Sequence, residues 1–270
     1  MLLKILQPKY ALVFLTFILL TSCSFNRLYY YPNTDEVPPS ETAEDVYLEW
    51  SKTDTFHGLF YHAEAAETSI YFLHGNAGNL SGWRHLAEIL WKDGYNVFII
   101  DYPGFGNSDK TPRHKRVQQS AQKGLDYFIK RDEVKNTKKI LFGMSLGGNL
   151  ATKIGVENQG VLDAMILEGP FNSHRDVGLT RVPKALRPIA YFGVKNKIKG
   201  EKIIKEWYKP LLVVHSEEDQ VCLYRMGKEL YENASSIEKE LWSIKGKHLR
   251  GFAEYRKEYL KKIRLLSESL

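Results

Sequence analysis

The chain has 270 residues, 43% of them hydrophobic and 26% charged, with a formal net charge of +6. That is the length of one large α/β domain and the composition of an ordinary globular protein with ample core, without the repeats or low-complexity stretches of a fibrous or disordered chain. Two cysteines in all leave no basis for a disulfide framework.

The N-terminus departs from this composition. Lys4 and Lys9 precede an apolar run over 10–20, followed by Leu20-Thr21-Ser22-Cys23. A basic start, a short apolar stretch and small residues at its end describe an export signal. The run falls short of the roughly 20 apolar residues that cross a bilayer. Leu20-Thr21-Ser22-Cys23 resembles the bacterial lipobox. That resemblance implies removal of residues 1–22 and lipidation of Cys23. With Ser24 rather than Asp next, it places the protein in the cell envelope of a bacterium, on the outer membrane facing the periplasm. An inner-membrane location, a secreted product or an uncleaved membrane anchor are the alternatives. Residues 23–45, with Pro32, Pro38 and Pro39 among scattered acids, read as a tether to a domain over 46–270. Cys222 is then the only thiol left, expected as a small buried hydrophobe.

In chain order, 46–50 and 59–62 are short strand candidates, expected as an edge hairpin. The compact apolar run 69–73 ends at His74-Gly75-Asn76-Ala77-Gly78-Asn79. Ser81 can cap a helix in which Trp83, Leu86, Ala87, Leu90 and Trp91 recur at helical spacing, and Gly94 ends it. A strand over 96–100 runs into Asp101-Tyr102-Pro103-Gly104-Phe105-Gly106-Asn107-Ser108. Val117, Ala121, Leu125 and Phe128 mark a second helix. Strands are expected over 140–142, 164–167, 211–214 and 240–244. Phe252, Tyr255, Tyr259, Ile263 and Leu266 stripe a C-terminal helix. Strands alternating with helices of this length predict a doubly wound, mostly parallel α/β sheet.

The stretch that organises the chain is Gly143-Met144-Ser145-Leu146-Gly147. A buried strand precedes it and a helix-forming segment over 149–156 follows, the context a Gly-x-Ser-x-Gly nucleophile elbow requires. Gly143 and Gly147 let strand and helix approach more closely than a Cβ would allow. The helix N-terminus turns N–H groups and its positive dipole end toward whatever Ser145 attacks.

Taken together, the segment 74–79, the segment 101–108, the elbow, Asp219 and His248 resemble the α/β-hydrolase superfamily. The nearest branch is the membrane-associated serine hydrolases that include monoacylglycerol and lysophospholipid lipases and S33-type aminopeptidases. The resemblance covers roughly residues 45–262. It implies an α/β-hydrolase fold with a helical lid at about 171–209, and a triad in the order Ser, acid, His. His248 is the one histidine beyond the candidate acids, so it is the expected base. Asp219 is the expected orienting acid, with Glu168, one strand earlier, as its rival. The acid loop reads His215-Ser216-Glu217-Glu218-Asp219, with Ser216 where the family has Gly, a change able to shift the turn; Glu217 and Glu218 are expected to be solvated. The backbone N–H groups of Asn76 and Leu146 are the expected oxyanion hole. His74 and Asp101 are expected to brace turns rather than catalyse.

Residues 174–209 hold ten Lys/Arg against three Asp/Glu, which concentrates the basicity in the lid among large apolar side chains. Contact with anionic lipid surfaces or acidic substrates and a merely solvated basic face both fit this pattern. No nucleic-acid partner is expected, because a catalytic elbow has no part in one. No metal is expected, for want of His-Glu-x-x-His or a Cys cluster, and no cofactor, since the full dinucleotide glycine pattern is missing. The expected function is hydrolysis of carboxylic esters, lipid-derived rather than peptide. A thioesterase and a serine aminopeptidase are the alternatives in the same class, and a non-catalytic surface binding module is the alternative outside it.

Overall fold

The computed structural model describes residues 29–194 and 196–270. The expected export signal, the expected lipobox with Cys23, and Lys195 lie outside the described residues. Among the described residues no helix is long and apolar enough to cross a membrane.

Eight strands form one sheet: β1 (Glu44–Ser51), β2 (Asp54–Tyr61), β3 (Thr68–Leu73), β4 (Asn96–Ile100), β5 (Lys138–Met144), β6 (Ala164–Glu168), β7 (Leu211–Ser216) and β8 (Lys239–Ile244). Their spatial order is β1-β2-β4-β3-β5-β6-β7-β8. The expected edge hairpin is there: β1 pairs antiparallel with β2, and β2 antiparallel with β4. All other pairings are parallel. The α/β-hydrolase fold expected from the sequence is the one observed.

The central parallel strands β3 to β7 are mainly apolar because both of their faces are covered, whereas the edge strand β8 is largely polar. Alternate residues go to opposite sides. On one side Tyr71, Leu73, Leu141, Leu167 and Val213 meet α2 (His114–Phe128), α4 (Leu146–Glu157) and α8 (Tyr224–Asn233). On the other, Ile70, Phe72, Phe142, Ile166 and Val214 meet α1 (Leu80–Lys92), α9 (Gly251–Glu254) and α10 (Arg256–Glu268). A short helix α3 (Asp132–Lys135) leads into β5, and α5 (His174–Thr180), α6 (Arg187–Gly193) and α7 (Gly200–Ile203) fill the stretch between β6 and β7. From β3 the chain first moves outward to β4 and then crosses to β5, so β3 and β5 flank the point where the strand order reverses. In open α/β sheets, ligands bind beyond the strand C-termini at such a point. The segment 74–79 and the elbow at Ser145 both emerge there.

Four expectations need correction. Residues 29–43 are not a free tether: Tyr30 and Val37 are buried, and Val37 exchanges hydrogen bonds with the Asn107 side chain. The prolines that suggested a linker instead shape an extended segment laid across the body. The helix α1 is capped by Asn79, not Ser81; the Asn79 side chain accepts from Ser81 N–H. The C-terminal helix is two, broken at Tyr255, whose φ of −126° and ψ of 26° are not helical. Trp207, within the segment expected as a lid among large apolar side chains, lies in the core, fully buried.

Candidate active site

Ser145 immediately follows β5 and precedes α4, with φ 51° and ψ −109°. A non-glycine residue held there costs on the order of 1–3 kcal/mol and persists only when its surroundings over-determine it. They do. Ser145 N–H donates to Glu168 O at 2.8 Å and its carbonyl accepts from Asn149 N–H at 3.1 Å. The flanking glycines are sterically required: a Cβ on Gly147 would stand 1.8 Å from Leu73 O, and one on Gly143 would stand 2.4 Å from Gly147 O. The elbow is thus wedged against β3, which aims the Ser145 hydroxyl off the sheet edge.

His248 and Asp219 come from the loops after β8 and β7. His248 Nε2 lies 2.9 Å from Ser145 Oγ, and His248 Nδ1 lies 2.6 Å from Asp219 Oδ2. An ionised carboxylate only accepts, so Nδ1 carries the proton and Nε2 is left to accept from the serine hydroxyl. Asp219 Oδ1 accepts from Val221 N–H at 2.8 Å and Cys222 N–H at 2.9 Å. Burial opposes the Asp219 charge, but the hydrogen bonds of His215 and His248 outweigh it and hold the carboxyl well below its ordinary range. The serine that replaces glycine in this loop strengthens it. Ser216 Oγ donates to Gly246 O and accepts from Glu218 N–H, and the Glu218 carboxylate accepts from Gly246 N–H at 3.0 Å. The acid loop is thereby stitched to the histidine loop. Glu218 is therefore not simply solvated, and Glu217 pairs with Lys245 at 2.5 Å.

Glu168, the rival acid, is also buried, but its Oε1 accepts from Gly251 N–H at 3.0 Å, just past the histidine loop. Burial pushes its pKa up to about 7, against the pull of the Tyr259 hydroxyl and the Gly251 amide, with the Asp219 charge adding to the rise. His74 and Asp101 pack together at 3.3 Å. Asp101 also accepts from Leu80 N–H at 3.1 Å, at the start of α1, which is the bracing expected of it.

Asn76 and Leu146 line one cavity with Ser145, a space of about 210 Å³. Leu146 begins α4, and the first N–H groups of a helix have no intrahelical acceptor. The remaining walls are mostly apolar, among them Phe171, Val177, Val182, Val194 and Val221, and among the described residues Arg181 is the one charged residue in the lining. Cys222 Sγ lies 3.9 Å from Ser145 Oγ. Burial pushes its thiol up to about 12, so it stays neutral and does not compete as a nucleophile. Sequence reasoning missed three features here: the His215 side chain 3.5 Å from Asp219 Oδ2, the cysteine beside the serine, and Tyr29 in the cavity wall. Among the described residues no group of three or more His, Cys, Asp or Glu is gathered as a metal site.

Comparison with known proteins agrees with this architecture. Residues 68–197 match the family model described as alpha/beta hydrolase fold. The uncharacterized protein YfhR of Escherichia coli K12 is 29% identical over 236 residues, 84% of this chain and 81% of that one. The lysophosphatidylserine lipase ABHD12 of Macaca fascicularis is 29% identical over 206 residues, 69% of this chain and 51% of that longer protein. Among solved structures, the esterase Pf2001 of Pyrococcus furiosus superposes with a TM-score of 0.71 at 17% identity, covering 89% of this chain and 97% of that one. The family match and the solved neighbour agree with the α/β-hydrolase fold described above.

Proposed function

We propose that the protein is a serine esterase that cleaves carboxylic esters of single-acyl, lipid-derived amphiphiles through an acyl-enzyme on Ser145. The observation that carries this reading is the unbroken line from Asp219 through His248 to Ser145, at 2.6 Å and 2.9 Å, opening into an apolar cavity. His248 Nε2 takes the hydroxyl proton as Ser145 Oγ attacks the ester carbonyl, and Asp219 stabilises the imidazolium that forms. The Leu146 and Asn76 N–H groups receive the developing oxyanion, each such donor contributing about 2.7–4 kcal/mol. His248 then protonates the leaving alkoxide. Water, activated by the same imidazole, releases the acid and restores Ser145.

A cavity of about 210 Å³ lies below the roughly 300 Å³ at which pockets for drug-sized ligands begin, which suits one acyl chain and not two. Among the described residues no carboxylate lines it, which disfavours the amine recognition an aminopeptidase needs. The lysophosphatidylserine lipase and esterase relatives are consistent with ester chemistry. Membrane attachment through Cys23 is part of the same proposal. Five residues separate Cys23 from Tyr29 in the cavity wall. At about 3.5 Å per extended residue they hold the cavity within roughly 20 Å of the bilayer. The α6 helix supports this orientation: Ala190 and Gly193 face the cavity, while Ile189 and Phe192 are 66% and 88% exposed.

The test is fluorophosphonate labelling of the purified protein, with hydrolysis of matched p-nitrophenyl ester and thioester substrates. Labelling of the wild type and none of a folded Ser145→Ala variant is expected, with the ester preferred. Absence of wild-type labelling would favour a binding module, and a preferred thioester would move the reading to a thioesterase.

A further inference from the structure

Residues 29–31 lie upstream of the matched family region and of the whole sheet, yet they touch both the loop 74–79 and the lid. The Asn76 side chain donates through Nδ2 to Tyr29 O, and its Oδ1 accepts from Tyr31 N–H at 2.9 Å. Asn33 N–H continues the pairing by donating to Gly78 O at 3.1 Å, so the extended segment runs beside the loop 74–79 like an added strand. That loop needs support. Ala77 has φ 84°, a left-handed conformation that costs a non-glycine residue free energy unless its surroundings impose it.

The same segment meets the lid. The Tyr29 hydroxyl donates to His174 O at 2.9 Å, and a Cβ on Gly178 would stand 2.6 Å from that hydroxyl, so any larger residue there would push the Tyr29 ring aside. The Tyr30 hydroxyl lies 2.9 Å from His114 Nδ1, and Arg181 Nη1 donates to the Tyr31 hydroxyl at 2.7 Å. Tyr29 itself lines the cavity with Ser145 and Leu146.

We infer that Tyr29–Tyr31 is part of the active site. It is a positioning segment that fixes the oxyanion loop through the Asn76 side chain, and the Tyr29 ring is a specificity-determining wall for the acyl chain. The inference rests on the serine-esterase reading of Ser145. Without the two side-chain hydrogen bonds, the Asn76 N–H is no longer held where the oxyanion forms, although the N–H is still there.

Two independent measurements test it on the full chain. For Asn76→Ala, kcat on p-nitrophenyl acetate is expected to fall roughly 10- to 100-fold, part of what outright loss of an oxyanion donor costs, with KM within about twofold of wild type. A merely structural strap would lower Tm and leave kcat of the folded fraction unchanged. For Tyr29→Ala, the ratio of kcat/KM on p-nitrophenyl octanoate to that on the acetate is expected to shift about tenfold or more, within the range of apolar-pocket discrimination. Tyr29→Phe, which keeps the ring, is expected to keep the wild-type ratio, and Tyr29→Leu replaces the alanine variant if that does not fold. Wild-type kcat in Asn76→Ala overturns the positioning role, and an unchanged ratio in both Tyr29→Ala and Tyr29→Leu overturns the wall. Either result in a wild-type protein that labels with fluorophosphonate leaves the esterase reading standing. A wild type that does not label removes that reading itself.

Discussion

Asp219→Asn isolates the orienting carboxylate, and the structure fixes which way the amide must lie. Oδ1 accepts from two backbone N–H groups, Val221 at 2.8 Å and Cys222 at 2.9 Å. The asparagine oxygen must take that position, because an NH₂ there would face two donors. Its NH₂ is then forced into the Oδ2 position, 2.6 Å from His248 Nδ1. Two donors cannot share that distance, so His248 moves its proton to Nε2, which faces Ser145 Oγ at 2.9 Å. The serine hydroxyl loses its base. A wrong tautomer of this kind lowers kcat about 10⁴-fold in the serine-protease template, equivalent to ~5.5 kcal/mol. The fold should persist, since the backbone hydrogen bonds to Oδ1 survive. The assay is p-nitrophenyl ester turnover beside a thermal melt, with Glu168→Gln run in parallel. If Asp219→Asn retained a tenth of the wild-type kcat while Glu168→Gln lost most of it, the acid would belong to β6 and the tautomer argument would be wrong.

Glu168→Gln tests buried charge rather than catalysis. The Glu168 pKa stands at about 7 when folded against an ordinary 4.5, so its stabilising effect is complete below pH 4.5 and lost as pH rises through 7. The amide does not ionise, so the variant should gain stability over wild type between pH 5 and pH 8, by on the order of 3 kcal/mol at about 1.4 kcal/mol per unit; a difference independent of pH would refute this. Reversing the exposed Lys184, Lys197 and Lys199 to Glu should lower activity on phosphatidylglycerol vesicles, at about 1 kcal/mol per charge, while sparing a short soluble ester. Added salt should weaken the wild type on the same vesicles, and equal losses on both substrates would mean the charges only solvate the lid. Cys23→Ala should leave the precursor unprocessed or move the protein out of the membrane fraction. Unchanged processing and partition would remove the lipid anchor from the proposal.

The sequence by itself determined the sheet and the elbow. The runs over 70–73, 97–100, 140–142, 164–167 and 211–214 are apolar throughout because these strands are covered on both faces, and that pattern is local. The glycines at 143 and 147 likewise announce a close approach before the partner is known. Tertiary structure decided what depends on neighbours remote in sequence. Glu168 ends β6 and Asp219 lies in the loop after neighbouring β7, and only the path of the loop after β8 puts His248 beside one of them. Asn79 and Ser81 are both able caps, and Asn79 holds the position because its side chain also reaches Asp35 O at 2.8 Å. Trp207 lies in a segment without periodicity that reads as a lid, yet tertiary packing buries it fully in the core. Residues 29–43 carry a linker's composition, and they are ordered because the loop 74–79 offers them unpaired backbone and an asparagine side chain to grip.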